Sequence, residues 1–445
     1  MTVNRRNVLM STLFGAGYVG LRALATGIPA AVLLKGSRAF ADGSATCADK
    51  SKAQYVIMST SFLGDPINAN APGTYGDPAI WHNQDPALAA TNMTLGGKAT
   101  KGALAWANLP ASVRDRMNFW HIMTNTPVHP REPDVLRLLG ATAGNEMLIS
   151  LLAKQLAPCL NTVQAQPITL GASNPSEGLR FAGQALPIIP PLALKATLAS
   201  PTGPLAGLTT LQKLRDDTLS KLDDIYRGPA TKAQKAYVDS LITSQTQIRG
   251  INQDLLAALG SIADNSVASQ ITAAIVLIQM NVTPAIAIHI PFGGDNHTDT
   301  TLMNEATQTL AGVASIGSLM SQLATETNMY GSLADQVSFM SLNVFGRTLN
   351  ASTANGRNHN PNHQVSITIG KPFKGGVIGG VGPVGGDYGA LAISSASGAG
   401  SAGGDIKPTD TLASFGKSMM AAVGVDAATI DSSIMSGKVV QGALA

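Results

Sequence analysis

The chain has 445 residues, of which 13% are charged and 4% aromatic, and it contains 46 glycines. This length supports a large hydrophobic core, and the composition is typical of a loop-rich exported globular protein rather than a transporter or a coiled coil. Of the 30 basic and 27 acidic residues, five basic and no acidic ones lie in the first 41 positions. The rest of the chain therefore has 25 basic and 27 acidic residues, a net charge of −2, which gives no indication of a nucleic-acid partner.

The N-terminal segment has the pattern of a twin-arginine export signal. The pair Arg5-Arg6 precedes a weakly apolar run, and small residues up to Ala41 form an A-x-A cleavage pattern. Arg22 interrupts the apolar run, which disfavours a stable membrane span, although an uncleaved anchor is the alternative. We expect residues 1–41 to be removed, no transmembrane span to remain, and the mature chain to be periplasmic or secreted. Export by this route carries folded proteins, often because a metal or cofactor is loaded first.

Two cysteines, Cys47 and Cys159, remain after the predicted cleavage. In an oxidising compartment they can form a disulfide or stay as two thiols, and the sequence leaves both alternatives open. The chain contains no C-x-x-C motif, so cysteine redox catalysis is not expected.

Apolar runs predict strands that alternate with helices. Strands are expected at about 54–60, 117–123, 283–290, 337–348 and 364–369. Helices are expected at about 145–160, 208–226, 232–262, 266–280, 302–329 and 409–423. Residues 71–110 and 161–206 are rich in turn-forming residues, and the first of these segments is predicted to form loops and short helices. This order predicts an α/β fold with a mainly parallel central sheet, helices on both faces and a helical insert at about 145–280.

Polar residues follow several of the predicted strands. Asp65 follows the first strand, and Asp295, His297 and Asp299 follow the strand at 283–290. Residues two apart in an extended segment share a side, so the last three can converge on one point. Carboxylate and imidazole groups are suitable ligands for Zn, Mn or Fe. For Asp65 the alternative is an aspartate that fixes its own turn.

The strand at 337–348 is followed by a loop that contains His359 and His363. Two of the seven histidines of the chain therefore lie within five residues, which favours a ligand-binding or catalytic loop over a polar surface loop. His129 lies between two prolines on a stiff loop, and we interpret it as a surface histidine that could line the site.

Several of these segments resemble one family. They are Gly294-Asp295-Asn296-His297, Phe345-Gly346-Arg347-Thr348, Gly356-Arg357-Asn358-His359 and Lys374-Gly375-Gly376-Val377-Ile378-Gly379, with a weaker match at Asp65-Pro66-Ile67-Asn68. Together with the twin arginines they resemble the exported bacterial family called domain of unknown function fifteen-oh-one, which is similar to the alkaline phosphatase/sulfatase superfamily. The match is strongest over about 283–380. The resemblance implies a three-layer α/β/α sandwich over residues 42–445 that hydrolyses phosphate or sulfate esters at metal ions.

The resemblance also implies roles for individual residues. It assigns Asp65, Asp295, His297 and His359 as ligands of a divalent metal (Zn, Mn or Ca) and places Arg347 beside an anionic substrate. Outside the family pattern, we expect His363 to act as a further ligand and Asn343 to contact the substrate. The resemblance assigns no nucleophile and no oligomeric state.

Two positions depart from the family pattern. Where the family often has S-E-F-G-R, this chain has Asn343-Val344-Phe345, and Asn358 replaces an aspartate. Both changes remove negative charge that a site with two dications would need. Three alternatives follow: a hydrolase, a catalytically inactive member that binds an anionic ligand, a glycan or a protein, and a structural or assembly factor of the cell envelope.

Overall fold

The computed structural model describes residues 54–160, 164–172, 179–198, 253–328, 330–351 and 355–445, together with single positions between 162 and 235. The predicted signal, Cys47 and most of the helices predicted over 208–262 lie outside the described residues, so these predictions are not tested. None of the described helices is both long and apolar enough to cross a membrane.

The described chain contains both strands and helices. The strands are β1 (Tyr55–Ser61), β2 (Ala90–Leu95), β3 (Lys98–Ala103), β4 (Met117–Ile122), β5 (Ile168–Thr169), β6 (Arg180–Phe181), β7 (Gln184–Ala185), β8 (Ala285–Ile288), β9 (Thr327–Asn328), β10 (Gly331–Ser332), β11 (Val337–Asn343), β12 (Gly346–Arg347), β13 (His359–Asn360), β14 (Gln364–Ile369), β15 (Gly376–Ile378), β16 (Val381–Val384) and β17 (Asp387–Ala390). The helices are α1 (Ile67–Asn70), α2 (Leu104–Ala107), α3 (Ala111–Arg114), α4 (Glu132–Leu136), α5 (Leu148–Leu160), α6 (Pro191–Leu198), α7 (Gln253–Ser261), α8 (Val267–Gln279), α9 (Met303–Thr325), α10 (Leu333–Gln336), α11 (Thr411–Ala422) and α12 (Ala427–Ser433). The five predicted strands are present as β1, β4, β8, β11 and β14, but β11 ends at Asn343 and not near residue 348 as predicted.

Seven strands form the central sheet, in the order β15-β4-β14-β11-β1-β8-β5. All neighbours pair in parallel except at β14, which runs antiparallel to both β11 and β4. The carboxyl ends of β1, β4, β8 and β11 therefore lie at one edge of the sheet, and β14 begins at that edge. Ligand sites of α/β proteins lie at this edge, where the loops after the strands meet. The prediction of an α/β fold with a mainly parallel sheet is confirmed.

Both faces of the sheet are covered. Every residue of β1, β4, β11 and β14 is buried, as expected for strands without a solvent face. Phe119 and Trp120 are neighbours in β4 and therefore point to opposite faces. Phe119 packs edge-on against Trp106 of α2 at 5.1 Å between ring centroids, and Trp120 packs against Phe415 of α11 at 5.5 Å. Helices thus cover both sides, which is compatible with an α/β sandwich.

The prediction of loops and short helices over 71–110 is partly wrong, because β2 and β3 form an antiparallel hairpin there. Its turn is Gly96-Gly97, with φ values of 54° and 75°. Two consecutive positive φ values are what a two-residue hairpin turn requires, and glycine adopts them without strain. A Cβ at Gly96 would also lie only 1.8 Å from the carbonyl oxygen of Lys374.

The interval predicted as a helical insert, about 145–280, also contributes to the central sheet. β5 pairs in parallel with β8 as the edge strand, and α5 and α8 pack beside β8. α5 and α8 agree with the helices predicted at 145–160 and 266–280. The described part of this interval is therefore built into the main fold.

Candidate metal centre

Four side chains with metal-binding atoms converge at the carboxyl edge of the sheet. His129 follows β4, Asp295 and His297 follow β8, and His359 lies in β13. One ligand atom from each of the four residues lies within 4.8 Å of those of the other three. This group could hold a metal ion. Asp295, His297 and His359 are sequence-predicted ligands, and the fold adds His129 to them.

Each of the three imidazole rings in this group is oriented by a hydrogen bond at Nδ1. Nδ1 of His129 donates to the Phe62 carbonyl at 2.8 Å, Nδ1 of His297 donates to Asn358 Oδ1 at 3.1 Å, and Nδ1 of His359 donates to the Pro127 carbonyl. Because these oxygens accept, the hydrogen of a neutral ring lies on Nδ1, and Nε2 keeps the lone pair that binds a metal. Arg347 Nη1, which can only donate, lies 3.5 Å from Nε2 of His297 and agrees with this assignment.

The Nε2 atoms of His297 and His359 face each other at 2.8 Å. Two neutral rings with hydrogens on Nδ1 cannot form a hydrogen bond between these atoms, so the contact calls for a proton or a cation. Burial lowers the pKa of His359 to about 4, and the charge of Arg347 adds to this effect against the opposing hydrogen bond to the Pro127 carbonyl. Burial therefore disfavours a proton on His359, and a metal cation bound by both Nε2 atoms is compatible with the contact.

Asp295 supplies the negative charge of the group. Its Oδ1 lies 3.2 Å from Nε2 of His297 and 3.2 Å from Nη2 of Arg347, and its Oδ2 lies 3.8 Å from Nε2 of His129. The Asp295 side chain is 48% exposed and that of His297 is 37% exposed. The group is therefore open to solvent on the side of Asp295, and the carboxylate bridges the imidazole nitrogens and the guanidinium.

Arg347 is buried beneath the group and is engaged by the protein. Its Nε donates to the carbonyl of Gly64 at 2.6 Å, and its Nη2 donates to the carbonyls of Leu63 and Gly294. Burial lowers its pKa, while Asp295 opposes that shift. The side chain is 0% exposed, whereas the predicted contact with an anionic substrate would need an accessible guanidinium. Arg347 instead joins the loops after β1 and β8 and holds Asp295.

Asp65 and Asn343, also predicted as site residues, lie outside the four-residue group. Asp65 is buried, and it accepts hydrogen bonds from the Ser61 hydroxyl at 2.8 Å and the Phe292 backbone N–H at 3.1 Å. Burial raises the pKa of Asp65, and the opposing effects of His289 and these hydrogen bonds are smaller. Asn343 is also buried, with Nδ2 3.5 Å from the Asp65 carbonyl. Asp65 therefore fixes the turn after β1, which is the alternative that the sequence leaves open.

His363 lies apart from the group, in a buried chain of hydrogen bonds. His121 Nε2 donates to the Pro72 carbonyl at 2.8 Å, so its Nδ1 accepts from His363 Nε2 at 2.8 Å. Asn68 Nδ2 lies 3.3 Å from His363 Nδ1 and donates to the Arg347 carbonyl at 2.7 Å. Burial lowers the pKa of His121 to about 4 and that of His363 well below its usual range. Both histidines are therefore neutral at neutral pH and act as hydrogen-bonded groups of the interior.

Aromatic rings pack around the imidazoles of the candidate centre. The Phe345 ring lies 4.9 Å from the ring of His129 and stacks on that of His359 at 4.2 Å, and the Phe62 ring lies 5.3 Å from His129. This packing leaves the His129 side chain only 20% exposed, in contrast to its interpretation as a surface residue. The sequence signal for His129 is its position in the polar loop directly after β4.

The donor set limits the metals that fit. Three imidazole nitrogens and one carboxylate suit first-row cations such as Zn, Fe or Mn, whereas Ca is bound by oxygen ligands alone. The chemistry of the group therefore disfavours Ca among the predicted metals. Comparisons of this chain with protein family models, with curated proteins and with solved structures found no match.

Proposed function

We propose that the chain is an exported metal-dependent hydrolase of phosphate or sulfate esters with a single divalent metal ion held by His129, Asp295, His297 and His359. The observation that carries the proposal is the convergence of these four ligand atoms within 4.8 Å at the carboxyl edge of the sheet. A divalent cation supplies Lewis-acid activation of water and of an ester oxygen. Phosphate and sulfate esters are the class that the sequence resemblance implies.

The charge of a loaded centre supports an anionic substrate. Imidazole ligands bind metals in their neutral form, so Asp295 alone offsets the charge of the cation. The guanidinium of Arg347 lies 3.2 Å from that carboxylate and contributes one positive charge. A dication, one carboxylate and one guanidinium carry a formal charge of +2, which favours the binding of phosphate or sulfate over neutral groups.

The substrate would approach from the solvent side of Asp295. With side chains 48% and 37% exposed, Asp295 and His297 leave that side of the metal accessible. The opposite side is closed by the buried Arg347 and by the packed ring of Phe345. The chain would thus hold the metal on its buried side and leave its solvent-facing side free for an ester.

A non-catalytic binding protein is the second candidate, and one observation favours it. Apart from the contact between His297 and His359, the described hydrogen-bond partners of the four ligands are backbone carbonyl oxygens, Asn358 and Arg347, and none is a Ser or Thr hydroxyl. A covalent mechanism needs such a nucleophile beside the metal. The same centre could therefore bind an anionic ligand without cleaving it.

The first test is the metal content of the mature protein, measured by elemental mass spectrometry after recovery from the periplasm. We expect one metal per chain in the wild type and none in His297→Ala/His359→Ala. His289→Ala is the matched control, because His289 is a half-buried histidine outside the group whose Nδ1 bonds the Thr60 carbonyl. The control should keep the metal. A wild-type protein without metal would refute the proposed centre.

The second test separates the two candidate functions. The metal-loaded protein is assayed with aryl phosphates and aryl sulfates, alongside the metal-free double variant and the His289→Ala control. Turnover that disappears only in the double variant supports the hydrolase. Metal binding without turnover of either ester class would instead support the binding protein, and calorimetry with inorganic phosphate and sulfate would then test for a ligand.

A further inference from the structure

A buried ion pair joins the loop that carries His359 to α9, the helix that follows the loop of His297. Nε of Arg357 lies 2.6 Å from Oε2 of Glu305, Nη2 of Arg357 lies 3.3 Å from Oε1, and both side chains are 0% exposed. Arg357 lies two residues before His359, and Glu305 lies in the first turn of α9. This pair is separate from the ligand atoms, because Glu305 is not a member of the four-residue group.

The same carboxylate also holds the loop of His297. Nδ2 of Asn296, the residue between Asp295 and His297, donates to Oε2 of Glu305 at 3.1 Å. The backbone N–H of Arg357 donates to the Asn296 carbonyl at 3.2 Å, so the two loops are also joined directly. One carboxylate oxygen of Glu305 therefore serves residues from both ligand loops.

Glycine allows the two loops to come this close. Gly356 has φ +122°, and a Cβ at this position would lie 2.2 Å from the Asn296 carbonyl oxygen. A larger residue would therefore require the loops to separate, whereas glycine adopts this backbone conformation and leaves the space for the carbonyl.

Glu305 is itself fixed in place. Its backbone N–H donates to Oδ2 of Asp299 at 2.8 Å, and Nδ2 of Asn70 in α1 donates to its Oε1 at 2.9 Å. On the other side of the pair, Arg357 donates to the carbonyls of Thr348 and Trp81 at 2.8 and 2.7 Å. Neither charge of the pair has room to move without breaking several hydrogen bonds.

We infer that Glu305 is a positioning residue that sets the separation of His297 and His359 and so determines how tightly the centre binds a metal. The inference rests on the proposed function. Burying two charges gains little stability over apolar packing, because desolvation offsets most of their attraction. The consequence of this ion pair is geometric: the Glu305 carboxylate accepts hydrogen bonds from both ligand loops and so fixes their separation. Partners that orient metal ligands commonly change metal affinity by about 10–100-fold when they are replaced.

The test compares the Zn²⁺ affinity of the wild type and Glu305→Gln by competition with a chromophoric chelator, at a temperature where circular dichroism shows both proteins folded. We expect the Kd of Glu305→Gln to rise by about 10–100-fold. The visible absorption of the Co²⁺-loaded protein should change as well, because it reports the arrangement of the ligands. Ile430→Ala is the control for lost stability, since Ile430 is a buried residue of α12. Its Kd should stay at the wild-type value.

A further variant separates charge from position. Glu305→Gln/Arg357→Met removes both charges and leaves no unpaired guanidinium, so it should recover stability while its Zn²⁺ affinity stays low. If Glu305→Gln does not fold, Asn296→Ala is used, because it removes only the side-chain bond from one loop to Glu305.

Three outcomes would overturn the inference. They are an unchanged Kd in the Glu305 and Asn296 variants, an equal loss of affinity in Ile430→Ala, and full affinity in the double variant. A wild-type protein that binds neither Zn²⁺ nor Co²⁺ would refute the proposed centre itself. That result is distinct from a wild type that binds the metal and a Glu305→Gln variant that binds it equally well.

Discussion

Acid should destabilise the protein through its buried histidine pair, His121 and His363. Both side chains are 0% exposed, and burial lowers the pKa of His121 from 6.5 to about 4 and that of His363 well below its usual range. Above about pH 6.5 these residues are neutral in both the folded and the unfolded chain. Below that pH the unfolded chain takes up protons that the folded chain does not, so the free energy of unfolding falls as the pH decreases toward about 4.

The size of the effect follows from the pKa of His121. A decrease from 6.5 to about 4 corresponds to about 3 kcal/mol, because each pKa unit is worth about 1.4 kcal/mol. His363 contributes in the same direction. Their neutral forms satisfy each other, since His363 Nε2 donates to His121 Nδ1 at 2.8 Å. A proton on either ring would be buried beside the other without an acidic partner among the groups that bond them.

The assay is urea unfolding of the wild type and of His121→Phe/His363→Phe between about pH 7 and about pH 4, with EDTA present so that metal binding does not contribute. The wild type should lose about 3 kcal/mol more than the variant over this interval. Carboxylates titrate in both proteins, and only the difference in pH dependence is compared. A lower stability of the variant at neutral pH therefore does not affect the result. Parallel pH profiles would refute the assignment of the buried pair as the acid-sensitive element.

Three further predictions concern the candidate centre and its surroundings. Asn358→Asp should raise the affinity for Zn²⁺ by about tenfold in a chelator competition, because a carboxylate makes His297 a more basic ligand than an amide does; weaker binding would contradict this role. Gly346→Ala should lower the free energy of unfolding by about 1–3 kcal/mol, because its Cβ would lie 2.1 Å from the His363 carbonyl. Gly403→Ala, with nothing within 4 Å, should show little change in the same denaturation experiment. Zn²⁺ at about 100 times its Kd should stabilise the wild type by about 2.7 kcal/mol in thermal unfolding, and an unchanged Tm would refute metal binding to the folded chain.

Local sequence predicts three of the four candidate metal ligands. Asp295 and His297 are two residues apart after a strong strand signal, and His359 lies in a loop with an unusual density of histidine. His129 joins them through tertiary structure alone. β4 reaches the same edge because it pairs with the antiparallel β14, and nothing in the loop of His129 specifies that pairing.

Asp65 and His363 are predicted from the sequence as ligands, but both lie outside the four-residue group. Both are ligand-type residues next to strands at the correct edge, yet their side chains bond groups in the interior. For Asp65 the partner is close in sequence, since Ser61 lies four residues earlier and donates to it. For His363 the partners come from distant segments, including His121, so the neighbouring sequence does not indicate that its side chain bonds in the interior.

The sequence predicts the elements with long apolar segments well. It predicts less well the short elements that depend on turn residues. The strand at 364–369 begins and ends as predicted, because its buried residues form one uninterrupted segment. The many glycines and polar residues of 71–110 indicate loops, although β2 and β3 form a hairpin there. The Gly96-Gly97 pair between two short segments is a hairpin signal of its own.

The electrostatics of the site also argue for one metal ion rather than two. At an effective dielectric constant of about 20, two unit charges 4 Å apart repel by about 4 kcal/mol, so two dications at that distance repel by about 16 kcal/mol. Sites with two metals offset this repulsion with several carboxylates. In the four-residue group Asp295 is the one carboxylate, and the buried Arg347 beside it adds positive charge. Asp65 and His363 lie outside the group, and this charge balance supports the proposed single cation over a pair of cations.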